Sequence, residues 1–218
     1  MKHFLILANT DKDINLELSN MIHSYIMGCG ATSVIICDEN HYNGNYIKEE
    51  YLTDIEVVIV LGGDGTMLRA VHSLCGHDIP LLGVNLGTLG FLTEIEKSNV
   101  KKAIDRLIMD DYKLERRMMI EGNVNDSTFH SLNDVVITRA GFSRIIGLNI
   151  YVNEQLLDTY EADGVIVATP TGSTGYNLSA GGPIVSPKSK VIVVTPISPH
   201  SLTAKSVVFD SSDKIRIE

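Results

Sequence analysis

Residues 57–70 read VVIVLGGDGTMLRA, and this stretch decides the fold of the first half of the chain. Four β-branched residues predict a buried strand, three glycines predict a tight turn, and a helical pattern follows from Thr66. Glycines suit such a turn because their φ angles are unrestricted. The turn has no conformational need of Asp64, however, so the carboxylate among the glycines points to a chemical role.

The rest of the N-terminal half alternates strands and helices. Apolar runs predict strands at Phe4–Ala8, Ser33–Cys37, Val57–Leu61 and Pro80–Val84. Helical spacing predicts helices over Ile14–Met27, Thr66–Cys75 and Val100–Met109. Continuous apolar strands separated by helices are typical of a parallel sheet that is covered on both faces.

After Lys113 the pattern changes to short β-rich segments separated by turn signals. The predicted strands are Met118–Val124, Asp134–Thr138, Gly147–Val152, Gly164–Ala168, Val191–Thr195 and Ser206–Phe209. We therefore predict an α/β domain over residues 1–97 and a β-rich domain over residues 98–218. The ending SSDKIRIE reads as a strand stopped in mid-course, so we expect the second domain to be incomplete.

Composition narrows the class of protein. The chain has 218 residues, of which 44% are hydrophobic and 21% charged, as in an ordinary soluble protein. Its net charge of −9 argues against nucleic acid as a partner, since phosphate backbones attract basic surfaces. No apolar run suggests a membrane span or a secretion signal. Cys29, Cys37 and Cys75 form no CxxC pair, so we expect reduced thiols and a cytoplasmic location.

The GGDGT turn has the features of a phosphate site. In α/β sheets ligands bind at the carboxyl ends of strands, and the following helix directs unpaired N–H groups to that point. The turn matches neither the Walker A pattern nor GxGxxG. A carboxylate beside phosphates suits a Mg²⁺ ion or a base that accepts a proton from an attacking hydroxyl. The structural alternative is a tight βα turn in which Asp64 caps the helix.

Three other segments are candidates for ligand binding. Asn85–Leu92 (NLGTLGFL) follows the next parallel strand, and its Phe91 either stacks on a ring or belongs to the core. Asn133 and Asp134 suit a ribose diol or, equally, a turn. Asp163–Pro183 combines glycines with hydroxyl side chains and carries no charge after Asp163. That composition suits ribose, amide or adenine edges, although an ordinary surface loop remains the alternative.

Five sequence blocks together resemble the NAD kinase family: GGDGT, NLGTLGFL, LNDVVI, DGVIVATPTGSTGYNLSAGGPI and TPISPHSLT. Their order and spacing match the family over nearly the whole chain. GGDG alone is less specific, because diacylglycerol kinases, sphingosine kinases and phosphofructokinases have a similar turn. The long TPTGSTGY…SAGGP block separates this sequence from those relatives.

The resemblance implies both an activity and a fold. Members of the family transfer the γ-phosphoryl group of ATP, or in some cases of polyphosphate, to the adenosine-ribose 2′-hydroxyl of NAD. The implied fold is a Rossmann- or phosphofructokinase-like α/β domain followed by a β-rich domain. The implied assembly is a homodimer or homotetramer, and Mg²⁺ or another divalent cation accompanies ATP without a protein cage.

The resemblance also implies residue roles, with Asp64 as the general base or metal-linked carboxylate. Together with the residues read from the loops, the predicted NAD contacts are Asp64, Gly65, Phe91, Asn133, Asp134, Arg144, Asp163, Thr171, Thr174, Gly175, Tyr176, Asn177, Leu178 and Ser179. The predicted contacts to the ATP phosphates are Gly62, Gly63, Gly65, Thr66 and Arg69.

Several positions depart from the family pattern, among them Asp134, Gly175, Glu161 and Lys205, and two other functions stay open. Asp134 stands where many relatives have Glu, and Gly175 replaces a common Ala. A lipid kinase of the diacylglycerol type would share GGDGT, and a non-catalytic module would bind NAD or NADP without reaction. The sequence leaves open the phosphoryl donor, the choice between NAD and NADH, the oligomeric state and feedback by NADP.

Overall fold

The computed structural model describes residues 1–38, 47–88, 90–141, 145–201 and 203–218. The chain divides into two compact units, Met1–Leu114 and Glu115–Glu218. The division therefore falls after Leu114 and not after residue 97 as predicted. The reason is the helix at Val100–Ile108, whose apolar side chains belong to the core of the first unit.

The first unit is an α/β domain built on a five-stranded parallel sheet. Its elements in chain order are β1 (His3–Asn9), α1 (Glu17–Gly28), β2 (Thr32–Asp38), β3 (Val57–Gly62), α2 (Asp64–Ser73), β4 (Leu81–Asn85), β5 (Ile95–Glu96) and α3 (Val100–Ile108). The strand order is β2-β1-β3-β4-β5, and all neighbouring strands pair in parallel. The four predicted strands are present, and β5 is an additional short one.

Both faces of this sheet are buried, as the continuous apolar strands predicted. Phe4, Ile6 and Ile59 point to one face, where they pack against residues of α1 and α3. Leu5 and Val58 point to the other face, where they pack against residues of α2. Side chains alternate between the faces along each strand, so a strand buried on both sides has to be apolar throughout.

Two helix starts differ from the predictions. The first helix was predicted from Ile14, but α1 begins at Glu17 after a short 3₁₀ turn. Asn15 and Leu16 there adopt positive φ angles of 56° and 55°, which a regular helix does not allow. The second helix was predicted from Thr66, but α2 begins at Asp64, which therefore lies in its first turn.

The second unit is rich in β-structure. Its elements are β6 (Ile120–Val124), β7 (Ser127–Ser131), β8 (Asp134–Thr138), β9 (Ile146–Val152), β10 (Gln155–Ala162), β11 (Gly164–Ala168), α4 (Tyr176–Ser179), β12 (Val191–Ile197), β13 (Val207–Asp210) and β14 (Ile215–Ile217). They form an antiparallel sheet β13-β12-β11-β8, a sheet β10-β9-β14 and a hairpin β6-β7. The predicted fold class, α/β followed by β-rich, is confirmed.

The core of the second unit lies between its two larger sheets. Ile150 of β9, Tyr160 of β10 and Val165 of β11 are all part of one buried cluster. The opposite face of β11 and β12 is also buried, because Ile166 and Val193 pack against Ala180 and Val185. The glycine-rich segment after β11 therefore covers one face of the four-stranded sheet.

Sequence patterning missed two strands of this unit, β7 and β10. β10 is an edge strand, and all but two of its eight residues, Tyr160 and Ala162, are exposed. Strand prediction depends on a regular alternation of buried apolar residues, which such an edge does not need. Among the residues that the structure describes, no helix is long and apolar enough to cross a membrane.

Candidate active site

The glycine-rich turn joins β3 to α2 at the carboxyl edge of the parallel sheet. Gly62 ends β3, and Gly63 is the N-cap of α2 in an extended conformation. A Cβ on Gly62 would overlap the side chain of Thr66, which is buried. Gly65 is exposed and belongs to the first turn, where backbone N–H groups have no partner within the helix. The amides of this turn are therefore available to an anion, and the phosphate contact itself stays a prediction.

Asp64 is the anchor of the loop that follows β4. Its Oδ2 atom accepts a hydrogen bond from the Phe91 amide at 2.8 Å. Its Oδ1 atom accepts the amides of Leu92 at 3.0 Å and Thr93 at 3.2 Å, and the Thr93 hydroxyl at 3.3 Å. A Cβ on Gly90 would overlap the carboxylate. The glycine at position 90 thus allows this carboxylate and the loop to meet.

The backbone amide of Phe91 takes part in this arrangement, whereas its ring is exposed to solvent. The side chain is 69% exposed, so the alternative that it belongs to the core is wrong. An exposed ring at a ligand-binding edge is available for stacking. The stacking role itself stays a prediction.

The other predicted phosphate contacts differ in accessibility. The Thr66 hydroxyl accepts a hydrogen bond from the Asn9 Nδ2 atom at 3.0 Å, inside the protein. Arg69 reaches the same oxygen at 3.5 Å and has a further interaction, so its guanidinium is partly used within the protein. Gly63 and Gly65 are less covered than Gly62 and Thr66. The backbone of the turn is therefore more available to a ligand than these side chains are.

An open groove of about 700 Å³ lies at this edge of the first unit. It is lined by Lys12 from the connection after β1, by Asn85–Gly87 at the end of β4, and by Glu96–Ser98. Sequence reasoning had singled out the second of these segments and had missed Lys12 and Thr93. The available signal for Lys12 was its position, since it follows the carboxyl end of the parallel strand β1.

In the second unit the structure brings together two segments that were predicted separately. Thr169 follows β11, and its amide donates to the carbonyl of Asn133 at 2.8 Å. A Cβ on Gly172 would overlap the backbone of Asn133. A Cβ on Gly175 would lie 3.7 Å from the Asp134 Oδ2 atom. The Asn133–Asp134 pair and the glycine-rich segment therefore form one cluster.

This cluster contains polar groups that are buried and poorly satisfied. The Asn133 Oδ1 atom is buried and has no hydrogen-bond partner in the described parts of the chain. Burial raises the pKa of the Asp134 carboxyl above its ordinary value. Buried polar groups usually have partners, so an unsatisfied acceptor beside a half-buried acid is expected where a ligand binds.

Several predicted contacts in the glycine-rich segment hold the segment itself. Asn177 is fully buried, and its Nδ2 atom donates to the carbonyls of Ser173 and Pro183, each at 3.0 Å. Its Oδ1 atom accepts from the Thr195 hydroxyl at 2.7 Å. All polar atoms of this side chain are used, so we assign Asn177 a supporting role instead of the predicted contact with NAD.

Thr171 and Thr174 are also engaged within the segment. The Thr171 hydroxyl accepts from Arg117 at 3.3 Å, and the Thr174 hydroxyl donates to the Thr171 carbonyl at 3.4 Å. Tyr176, Leu178 and Ser179 are exposed instead. The most exposed of the predicted contacts in this segment are therefore Tyr176, Leu178 and Ser179 on α4.

Asp163 lies apart from these residues, and Arg144 lies outside the described residues. β11 separates Asp163 from Thr169 by six residue steps, roughly 20 Å at about 3.3 Å per residue. Asp163 forms an ion pair with Arg139 at 3.1 Å and lines a groove of about 630 Å³. A single compact pocket cannot contain both ends of β11, so the predicted set describes an extended site.

Fold and site together define a class: an α/β nucleotide-binding protein with an acidic glycine-rich phosphate turn and a β-rich second unit. Comparison with known families makes this specific. Residues 4–112 match the ATP-NAD kinase N-terminal domain, and residues 132–218 match the ATP-NAD kinase C-terminal domain. The chain therefore belongs to the NAD kinase family, as its sequence motifs had predicted.

Individual relatives agree with this assignment. The chain is 49% identical to the NAD kinase of Lachnoclostridium phytofermentans, covering 100% of this chain and 79% of the relative. It is 47% identical to the NAD kinase of Agathobacter rectalis, covering 100% of this chain and 78% of the relative.

Two solved structures have a similar fold. Yeast NADH kinase complexed with NADH has a TM-score of 0.79 at 26% identity. The match covers 100% of this chain and 72% of the yeast chain. An NAD kinase from Archaeoglobus fulgidus in complex with ATP has a TM-score of 0.80 at 24% identity and covers 100% and 80%. The second likeness supports the fold alone.

Proposed function

We propose that this chain transfers the γ-phosphoryl group of ATP to the adenosine-ribose 2′-hydroxyl of NAD and so forms NADP. Membership of the NAD kinase family supports the activity. The observation that carries the mechanism is the position of Asp64, whose carboxylate is held at the start of α2 by the loop after β4.

The two oxygens of Asp64 are unequally occupied. Oδ1 accepts three hydrogen bonds, whereas Oδ2 accepts only the one from the Phe91 amide among the described residues. A carboxylate has about four lone-pair positions on its two oxygens. Oδ2 is therefore the oxygen with room for a substrate hydroxyl, and the loop fixes its direction.

Asp64 would act on the ribose hydroxyl, which is a weak nucleophile in its neutral form. Oδ2 orients the hydroxyl towards the phosphorus atom and accepts its proton as the new P–O bond forms. The amides in the first turn of α2, including that of Gly65, stabilise the phosphate charge. The bond from the γ-phosphorus to the bridging oxygen breaks, and ADP leaves with that electron pair.

A divalent cation fits this donor set as a companion of ATP. No three metal-ligating side chains cluster in the part of the chain that the structure describes. Mg²⁺ commonly uses only one or two carboxylates and takes its other ligands from phosphates and water. If Asp64 is instead the metal-linked carboxylate, it would hold the ion at the turn, and the ion would neutralise phosphate charge when bound.

For NAD we propose contacts from Asn133, Asp134 and the exposed residues of α4. The unsatisfied Asn133 Oδ1 atom and the half-buried Asp134 carboxyl suit ribose hydroxyls or an amide. Tyr176 and Ser179 add an exposed ring and a hydroxyl on the same segment. Phe91 and Arg144 remain predicted contacts from the sequence.

We also propose a homo-oligomeric, cytoplasmic enzyme, with polyphosphate as a second donor to be tested. Sedimentation velocity on the purified chain would establish the assembly, and a species of one chain mass at assay concentration would contradict it. Replacing ATP by polyphosphate in the same assay would decide the donor.

The activity is tested by NADP formation from NAD and Mg-ATP, read through an NADP-specific dehydrogenase, in the parent chain and in Asp64→Asn. We expect the variant to lose at least about a hundredfold in kcat, because it lacks the proton acceptor. Thr93→Val is the matched control, since it removes one loop contact to Asp64 and keeps the carboxylate. We expect it to lose less than about tenfold.

Other outcomes would identify the other functions. A parent chain that binds NAD in calorimetry and forms no NADP would be a binding module. Phosphorylation of diacylglycerol in vesicles, without NADP formation, would indicate a lipid kinase. Equal losses in Asp64→Asn and Thr93→Val would show that Asp64 acts only by holding the loop.

A further inference from the structure

Lys12 occupies an unusual place at the carboxyl edge of the parallel sheet. Its Nζ atom lies 3.0 Å from the point where a Cβ of Gly63 would stand. The same atom lies 3.6 Å from the corresponding point on Gly87. The ammonium group therefore lies close to both glycine-containing loops, the one after β3 and the one after β4.

The topology makes this edge the expected ligand site of the first unit. β1 lies between β2 and β3 in the sheet. The chain leaves β1 towards β2 on one side, whereas β3 connects to β4 on the other. Such a reversal opens a crevice between the carboxyl ends of the two central strands. Lys12 follows one of these strands, and Gly63 follows the other.

The backbone around Lys12 is fixed on both sides. The amides of Lys12 and Asp13 donate to the Asn9 carbonyl at 3.1 and 2.8 Å. The Asp13 carboxylate is 5% exposed and accepts the amides of Leu18 and Ser19, each at 2.9 Å. The connection after β1 is thus a tight turn attached to α1, and it positions the lysine stem.

The same turn is bound directly to the glycine-rich turn. The Asn9 side chain, 7% exposed, donates to the Thr66 hydroxyl at 3.0 Å. Thr66 in turn packs on Gly62 so closely that no side chain would fit there. A ligand that contacts the amides at the start of α2 therefore meets Lys12 at a defined distance from them.

The side chains that line the groove carry a net positive charge. No carboxylate in the described part of the chain forms an ion pair with Lys12. The groove is lined by two lysines, Lys12 and Lys97, and by one carboxylate, that of Glu96. The chain as a whole carries a charge of −9, so the charge of the groove is opposite in sign to that of the chain.

We propose that Lys12 binds the phosphate chain of the phosphoryl donor and determines the affinity for it. This inference rests on the proposed function and adds a residue to it. Lysine is a compact point charge that binds phosphate without the fixed fork of arginine. Because its ammonium group lies close to both glycine-containing loops, it contacts some phosphate oxygens while the amides of α2 contact others. Lys12 is a binding and positioning residue and takes no proton.

The test is a comparison of Lys12→Met and Lys12→Arg with the parent chain. KM for ATP and KM for NAD are measured separately, and tripolyphosphate binding is measured by calorimetry. A lost charge-assisted hydrogen bond corresponds to roughly tenfold to a hundredfold weaker binding. We expect Lys12→Met to show this change for ATP and tripolyphosphate, with KM for NAD within about twofold. Lys12→Arg retains the charge and should recover most of the affinity.

Lys102→Met is the matched control. Lys102 is an exposed lysine on α3 that does not line the groove, so this variant changes the net charge equally. We expect parental KM values from it. An equal effect of Lys102→Met and Lys12→Met would overturn the proposal, since the overall charge would then explain both. Equal changes in KM for ATP and NAD would also overturn it, as would failure of Lys12→Arg to recover affinity.

The two proposals fail in different ways. If the parent forms NADP and Lys12→Met keeps its affinity for ATP and tripolyphosphate, the role of Lys12 is wrong and the function stands. If the parent forms no NADP but loses tripolyphosphate binding in Lys12→Met, the function is wrong and the phosphate site stands. Polyphosphate is measured alongside ATP, and loss of affinity for either donor in Lys12→Met supports the phosphate contact.

Discussion

The two glycine-rich segments of this chain have similar compositions and use them in opposite ways. In the first unit, the turn around Asp64 leaves its own backbone amides available to a ligand. The Asp64 carboxylate accepts hydrogen bonds from the amides of a second loop, the one after β4. In the second unit, Ser173 and Asn177 turn inward and bind their own segment. A loop rich in hydroxyl side chains therefore does not necessarily offer them to a ligand.

The comparison separates glycines that permit contact with a functional group from glycines that permit packing. Gly90 allows the Asp64 carboxylate to approach its loop, and Gly172 allows the segment to rest on the backbone of Asn133. Both would clash if they carried a Cβ. The consequences differ, because only the first clash involves the proposed catalytic group.

The largest effect is expected from Gly90→Ala. A Cβ there would overlap the Asp64 carboxylate, so either the loop or the carboxylate has to move. We expect NADP formation to fall by at least about a hundredfold, since small displacements of a catalytic group have effects of this size. The measurement is kcat with the melting temperature recorded in parallel.

Gly28→Ala is the control for Gly90→Ala. Gly28 is the last residue of α1, and a Cβ there would have no neighbour within 4 Å. We expect unchanged activity and a stability equal to or up to about 1 kcal/mol above that of the parent. Parental activity in Gly90→Ala would mean that the Asp64 loop contact has no part in catalysis.

A smaller effect, measured on stability, is expected from Gly172→Ala. Its Cβ would overlap the Asn133 backbone, which cannot rotate away as a side chain could. We expect a loss of about 3 kcal/mol in the free energy of unfolding, as for other overpacked sites. Urea unfolding followed by circular dichroism measures it.

Gly175→Ala, three residues further on, sharpens this prediction. A Cβ at Gly175 would lie 3.3 Å from the Gly172 carbonyl oxygen and 3.7 Å from the Asp134 Oδ2 atom, so a shift of a few tenths of an ångström would accommodate it. We expect a change of less than about 1 kcal/mol. Similar losses in both variants would show that the segment does not pack on Asn133 as described.

The smallest effect concerns the pH dependence of Asp134. Burial raises the pKa of this carboxyl above its ordinary value of 3.8 in the folded chain. The folded state therefore holds the proton to higher pH than the unfolded state, and stability falls as the pH rises through the two pKa values. Asp134→Asn removes this loss.

Thermal unfolding of Asp134→Asn and the parent across roughly pH 4 to 7 checks the prediction. We expect the melting temperature of the variant to rise relative to the parent as the pH increases. A difference that is constant with pH would show that the carboxyl is ionised as easily in the folded chain as in the unfolded one, and a reversed trend would show that it is ionised more easily.

Local patterns predicted the elements of the first unit well because their causes are local. β-branched runs such as Val57–Leu61 predict buried strands wherever the chain places them, and a glycine turn followed by helical spacing predicts a βα unit. The errors lay where backbone geometry intervened, as with Asn15 and Leu16 before α1. The edge strand β10 was missed because it buries little.

The sequence by itself determined the parallel α/β unit, the β-rich unit and the family, because hydrophobic period, glycine turns and motif order are all properties of neighbouring residues. Tertiary structure decided which polar groups are free. The amides that bind Asp64 come from a different loop, and the hydroxyl that binds Asn177 comes from β12. A hydrogen bond between distant segments depends on where the chain brings them. The roles of Asp64, Asn177 and Lys12 could therefore be separated only in the folded chain.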